Sequence, residues 1–161
     1  MKIGGQIPLA GLEREPVEAV ATLLRALSAD VVEICSYVYP DHADEIRLGN
    51  LEFLADFPER VGIPVSSFHG GLSGPESDFA SLDEEVRLSA VAWTTSYDAN
   101  IAHFLGAKYI VLHVGFYDRT QSKAQSPAER SSRRQQFLKS MAEISDSFAE
   151  RGLVAAMENQ G

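Results

Sequence analysis

Two hydrophobic periods alternate along this chain. Short runs rich in β-branched and aromatic residues are separated by longer stretches whose apolar residues recur every three or four positions. The clearest short run is Tyr109-Ile-Val-Leu-His113, inside the stretch Leu105 to Gly115. It is nearly all apolar, as suits a parallel strand covered on both faces. Gly106 precedes it and is placed to end a helix in the left-handed conformation. Further strands are predicted over Lys2–Ile7, Val31–Tyr37, Pro64–His69 and Leu153–Glu158.

The stretches between them read as amphipathic helices. Val17, Val20, Leu24 and Leu27 form the first stripe, after Pro16 near the helix start. A second helix is predicted from Ala43 to Phe57, weakened by Gly49 and closed by Pro58 and Gly62. A long third helix, Leu82 to Leu105, carries Val86, Ala90, Trp93, Tyr97, Ile101 and Phe104. Pro127 opens a fourth, with Phe137, Met141, Ile144 and Phe148 on its stripe and Gly152 at its end. Strands alternating with helices predict an α/β fold with a parallel sheet and right-handed crossovers.

Composition narrows the class. A chain of 161 residues suffices for one domain with a real core, so residues 1–161 are read as a single domain. The net charge of -9 disfavours nonspecific binding to nucleic acid or to an anionic membrane surface. Arg130, Arg133, Arg134 and Lys139 lie close together and read as a solvated helix face. The single cysteine, Cys35, excludes an intrachain disulfide and suggests a small buried apolar residue. No apolar run is long enough to span a membrane and no secretory segment opens the chain, so a cytoplasmic protein is expected.

The chemistry is expected where strands end. The third, fourth and fifth strands close on His69, His113 and Glu158, each at the same phase of its βα unit. Period-two alternation groups Val65, Ser67 and His69; Tyr109, Val111 and His113; and Val154, Ala156 and Glu158. The opposite faces are mainly apolar. One strand-end histidine is ordinarily a satisfied rim residue. Agreement across three consecutive strands makes convergence at one rim the sharper expectation. Two imidazoles and a carboxylate can hold a divalent metal, which polarises a carbonyl or activates water.

Other residues carry less. Glu33 shares the inner phase of the second strand and is expected to hydrogen-bond within the sheet layer. Gln6 and Tyr37 are candidate substrate-lining residues, although exposed polar residues of this kind are common. Asn159 either touches a substrate or forms a turn. His42 and His103 fall off the pattern and are expected to face solvent. His69-Gly-Gly is reminiscent of an esterase oxyanion loop, but no Gly-x-Ser-x-Gly elbow accompanies it.

Phe68-His69-Gly, the Leu105–Gly115 stretch, and Gly152-Leu-Val-Ala-Ala-Met-Glu158-Asn together resemble the xylose isomerase-like TIM barrels. That superfamily includes sugar phosphate isomerases/epimerases and the endonuclease IV type of abasic-site nuclease. Val31-Val-Glu33-Ile also resembles the family's second strand. The resemblance implies that Glu158 is a metal ligand and acid/base residue. It implies that His69 and His113 are metal ligands, as in the nuclease branch, or pocket residues, as in the epimerase branch. A complete barrel needs roughly 200–250 residues. The expectation is therefore a truncated parallel barrel of about five strands and four helices, without the family's later ligands or its second acid/base carboxylate. Such a chain is the N-terminal part of a longer protein, or a partial barrel covered by association, as in a homo-oligomer.

The implied function is a metal-dependent sugar or sugar-phosphate isomerase/epimerase. It would use Mn, Zn, Mg or Co and abstract the proton α to a carbonyl through an enediolate; this chain alone is expected to be weakly active or inactive. The alternatives are an abasic-site phosphodiesterase, for which no basic rim is evident, and a non-catalytic partial-barrel association module.

Overall fold

Each predicted strand folds into a single parallel sheet. The computed structural model describes residues 4–8, 17–35, 57–70, 78–113 and 126–158. The strands are β1 (Gly4–Pro8), β2 (Val31–Cys35), β3 (Val65–His69), β4 (Tyr109–His113) and β5 (Val154–Glu158). They lie in sequence order, every neighbouring pair parallel. The helices are α1 (Val17–Ala26), α2 (Phe57–Val61), α3 (Glu84–Trp93), α4 (Ala99–Phe104) and α5 (Pro127–Ala149). A π-helical turn, Thr94–Asp98, joins α3 to α4. The segment predicted as helix from Ala43 lies outside the described residues up to Phe57, where α2 begins. That helix runs through Pro58, predicted to close a helix, because a proline is tolerated in a helix's first turn.

Outward-facing residues of the central strands form the core with the helices. Val32, Ile34, Phe68 and Ile110 are fully buried there, beside Phe57, Ile101, Ile144 and Phe148. Full burial of one such side chain stabilises by about 1.5–3 kcal/mol. The other face differs from the expectation of a strand covered on both sides. Tyr109 and Val154, which share its phase, are exposed. Among the described residues, helices cover one face of this sheet; in a closed barrel further strands would curve over the other.

The local departures from the predicted pattern have physical causes. Val32 pairs with Val65, but Glu33 pairs with Ser67, so Ser66 is an extra residue in β3. This bulge returns Val65 to the core face with Val32 and overturns its predicted grouping with Ser67 and His69. The long third helix is interrupted at Thr94-Thr-Ser. Hydroxyls of Thr95 and Ser96 bond back to Val91 and Ala92 carbonyls, side-chain competition that accompanies the widened turn. Among the described residues, Leu27, just beyond α1, and Phe104, at the end of α4, are stripe residues left exposed.

A further departure is Arg87, which is fully buried, whereas its predicted stripe neighbour Val86 is only half-buried. Its guanidinium bonds Glu84 at 2.8 Å, and Glu143 and Ser140 at 3.0 Å. Ser140 in turn donates to the Phe79 carbonyl at 2.8 Å. The network ties α3 and the segment before it to α5. The basic group on α5 is mainly exposed as expected, except that Arg133 pairs with Asp78. Ser126 caps α5 by accepting from the Glu129 amide, with Pro127 in the first turn.

Candidate metal centre

Parallel register brings the strand-end polar groups together. Glu158 pairs directly with His113. His69 pairs with Val111, one inward-facing position before His113. The His69 and His113 Nε2 atoms are 2.7 Å apart. Glu158 Oε2 lies 3.0 Å from His113 Nε2 and 3.2 Å from His69 Nε2. The rings meet edge to face, with centroids 4.7 Å apart. Both histidines are buried and the Glu158 side chain is half-exposed. The site thus has a closed floor and an open side.

Glu33 supports the floor from β2. Its Oε2 accepts from Ser67 Oγ at 2.6 Å, and its Oε1 accepts from Gln6 Nε2 at 3.0 Å. His69 Nδ1 lies 3.1 Å from the same Oε1. Register explains the grouping, because Gln6, Glu33 and Ser67 are paired across β1, β2 and β3. Burial pushes the Glu33 carboxyl upward, but hydrogen bonds from Ser67, His69 and Gln6 together outweigh it and leave the group below its ordinary value. Cys35 is buried beside this cluster. Burial, and then the Glu33 charge, push its thiol up to about 11, so it is a poor nucleophile.

The donor set fits a divalent cation. Ligands at right angles around an ion, with bonds of about 2.0–2.2 Å, lie roughly 3 Å apart. The three edges of the His69–His113–Glu158 triangle match that spacing. Glu33, Cys35 and His69 form a second close group of potential ligand atoms, but it shares His69, and its thiol holds its proton tightly.

Of the substrate-lining candidates, Gln6 is exposed on β1 with its amide turned to Glu33. Tyr37, Asn159 and His42 lie outside the described residues, and His103 is exposed as expected. Glu33 hydrogen-bonds within the sheet layer as its inner phase predicts, with His69 as a partner the sequence did not name. One feature of the site's surroundings escaped the sequence reading. It is the buried Asp98 against Gly70, the residue after His69. Asp98 ends the π-helical turn and accepts from Thr94 Oγ1 at 3.2 Å.

A family model described as xylose isomerase-like TIM barrel matches residues 12–161. No curated protein matches the chain. Among solved structures, 3-keto-D-glucoside 4-epimerase YcjR from E. coli shares 21% identity and superposes with a TM-score of 0.68, over 98% of this chain and 55% of its own. A D-tagatose 3-epimerase-like protein gives 19% identity and a TM-score of 0.71, over 99% of this chain and 53% of its own. D-allulose 3-epimerase from Methylomonas sp. gives 17% and 0.64, over 98% and 50%. At these identities the likeness concerns the fold, and the chain spans about half the length of each structure. The five parallel strands are consistent with a truncated barrel, and no helix among the described residues is long and apolar enough to cross a membrane. By its order of βα units and the family match over nearly its whole length, this chain belongs to the xylose isomerase-like TIM barrel family.

Proposed function

We propose that this chain is the N-terminal part of the catalytic barrel of a metal-dependent sugar or sugar-phosphate isomerase/epimerase. The observation that carries the reading is the triangle of His69, His113 and Glu158 at the C-terminal ends of adjacent parallel strands. That end carries the chemistry in barrels of this class. The names of the structural neighbours, epimerases acting on keto sugars, supply the substrate class.

The two imidazoles and Glu158 Oε2 would hold a divalent ion such as Mn²⁺, Zn²⁺, Mg²⁺ or Co²⁺. When bound, the ion would supply Lewis-acid polarisation of a substrate carbonyl. Glu158 has the second role. Only its Oε2 meets the imidazoles and its side chain is half-exposed, so the carboxylate is reachable by a proton α to that carbonyl. Gln6, Tyr37 and Asn159 are the proposed substrate contacts on the rim. The excess of acidic residues favours a small substrate over nucleic acid.

The test is metal binding followed by proton exchange. Calorimetry with Mn²⁺ or Zn²⁺ should show about one equivalent on the wild type and a large loss in Glu158→Gln. The loaded wild type, given a ketose in deuterium oxide, should exchange the proton α to the carbonyl slowly, as a single carboxylate without its counterpart allows, and Glu158→Gln should not. A wild type that binds neither ion sinks the proposal.

A second reading, an association module, draws on the sheet edge. Among the described residues β5 pairs with β4 alone, and Val154 and Met157 are exposed on it. Further strands of a longer chain, or a second copy, would cover that edge. Concentration-dependent sedimentation without ketose exchange favours this reading.

A further inference from the structure

We infer that Glu33 is a positioning residue, which fixes the tautomer and ring orientation of His69 so that its Nε2 presents a lone pair to the triad. The inference rests on the metal role proposed above, but its central claim can be read without metal.

The argument is one of donors and acceptors. An ionised carboxylate only accepts hydrogen bonds. Ser67 Oγ donates to Oε2, and Gln6 Nε2 donates to Oε1. His69 Nδ1 lies 3.1 Å from Oε1, so in the neutral ring Nδ1 carries the proton. Nε2 is then bare, and it is the atom 2.7 Å from His113 and 3.2 Å from Glu158. A bare Nε2 also assigns the proton between the rings to His113, because two lone pairs would repel at 2.7 Å. Replacing that shared proton by a cation satisfies all three donor atoms. The tethers from Gln6 and Ser67 hold Glu33 from both sides, so the ring is oriented by β1, β2 and β3 together. A carboxylate behind a ligating imidazole of this kind is typically worth about 10–100-fold in metal affinity.

The experiment uses long-range ¹H–¹⁵N NMR of the metal-free chain, then Zn²⁺ calorimetry, on wild type, Glu33→Gln and Glu33→Ala. The expected wild-type spectrum shows His69 protonated at Nδ1. Glu33→Ala should show mixed tautomers and bind Zn²⁺ about 10–100-fold more weakly. Glu33→Gln, whose amide oxygen still accepts from Nδ1, should keep the tautomer and fall between the two. An Nε2-protonated His69 in the wild type overturns the inference without any variant, so the test survives an Ala variant that does not fold. Unchanged tautomer and affinity within about twofold in Glu33→Ala also overturn it. A wild type with the expected tautomer but no Zn²⁺ binding sinks the metal reading and leaves the tautomer assignment standing.

Discussion

Substitution of Gly70 by Ala should destabilise the fold and disturb the candidate centre at once. Gly70 is buried directly after His69, and its amide donates to the Val111 carbonyl at 3.0 Å. That ladder bond prevents the backbone from retreating. A Cβ at this position would sit 2.8 Å from Asp98 Oδ2, 3.2 Å from Asp98 Cγ and 3.3 Å from Leu112 Cδ2. Ordinary contact needs well over half an ångström more than the shortest of these. Asp98 is fully buried and its Oδ2 accepts from Thr94 Oγ1 at 3.2 Å, so the carboxylate has no open direction in which to swing without loosening that bond. Overpacking of this kind costs about 1–3 kcal/mol. For a chain of this size that lowers the melting temperature by roughly 2–4 °C per kcal/mol. Gly62 is the control. Its φ is +67° and a Cβ there would meet nothing within 4 Å, so Gly62→Ala carries only the left-handed backbone cost of about 1–2 kcal/mol. Urea melts measure both stabilities, and Zn²⁺ calorimetry separates the variants. Gly70→Ala should lose metal affinity through displacement of His69, and Gly62→Ala should not. A Gly70→Ala variant within about 0.5 kcal/mol of wild type would refute the claim that Asp98 is held in place.

Three further outcomes are expected. Arg87→Ala should cost about 3 kcal/mol in urea melts, the low end for breaking a buried pair because Glu84 and Glu143 can still reach water; a loss below about 1 kcal/mol would show that the network is incidental. Hydrogen bonds from Arg87, then Lys139, hold the Glu84 carboxyl down to about 2 from an ordinary 4.5. Its stabilisation is therefore complete above the ordinary value and is lost as pH falls toward the folded value, so the stability gap between wild type and Glu84→Gln should shrink across that window; a constant gap contradicts the pairing. Cys35, buried with its thiol pushed up to about 11, should react with a disulfide reagent only as fast as the chain opens; rapid stoichiometric labelling of the native protein would contradict its placement.

The architecture was largely legible because its signals are local. Tyr109–His113 reads as a strand from its own residues and folds as one. Ser126-Pro127 announces the start of α5, and Gly106 announces the turn before β4 with a φ of +67°. The third helix was legible only in outline. The hydroxyl run that widens its turn is visible in the sequence, but its outcome depends on what Asp98 packs against. The predicted face of Val65 failed because strict alternation assumes no bulge, and the bulge at Ser66 exists only in the pairing of β3 with β2.

What the sequence determined by itself was the alternation of strand and helix, and the common phase of His69, His113 and Glu158. Both follow from backbone periodicity, a property of neighbouring residues. Tertiary structure decided the rest. It set the triangle near 3 Å, turned Glu33 to the back of His69 and buried Arg87 between carboxylates on two helices. Each of these joins at least one pair of residues far apart in the chain, and their distances follow from sheet register and helix packing. Glu84 reaches Arg87 from its own helix, but a charge is stable in this core only because Glu143 and Ser140 also arrive from α5, and no local pattern announces that they will.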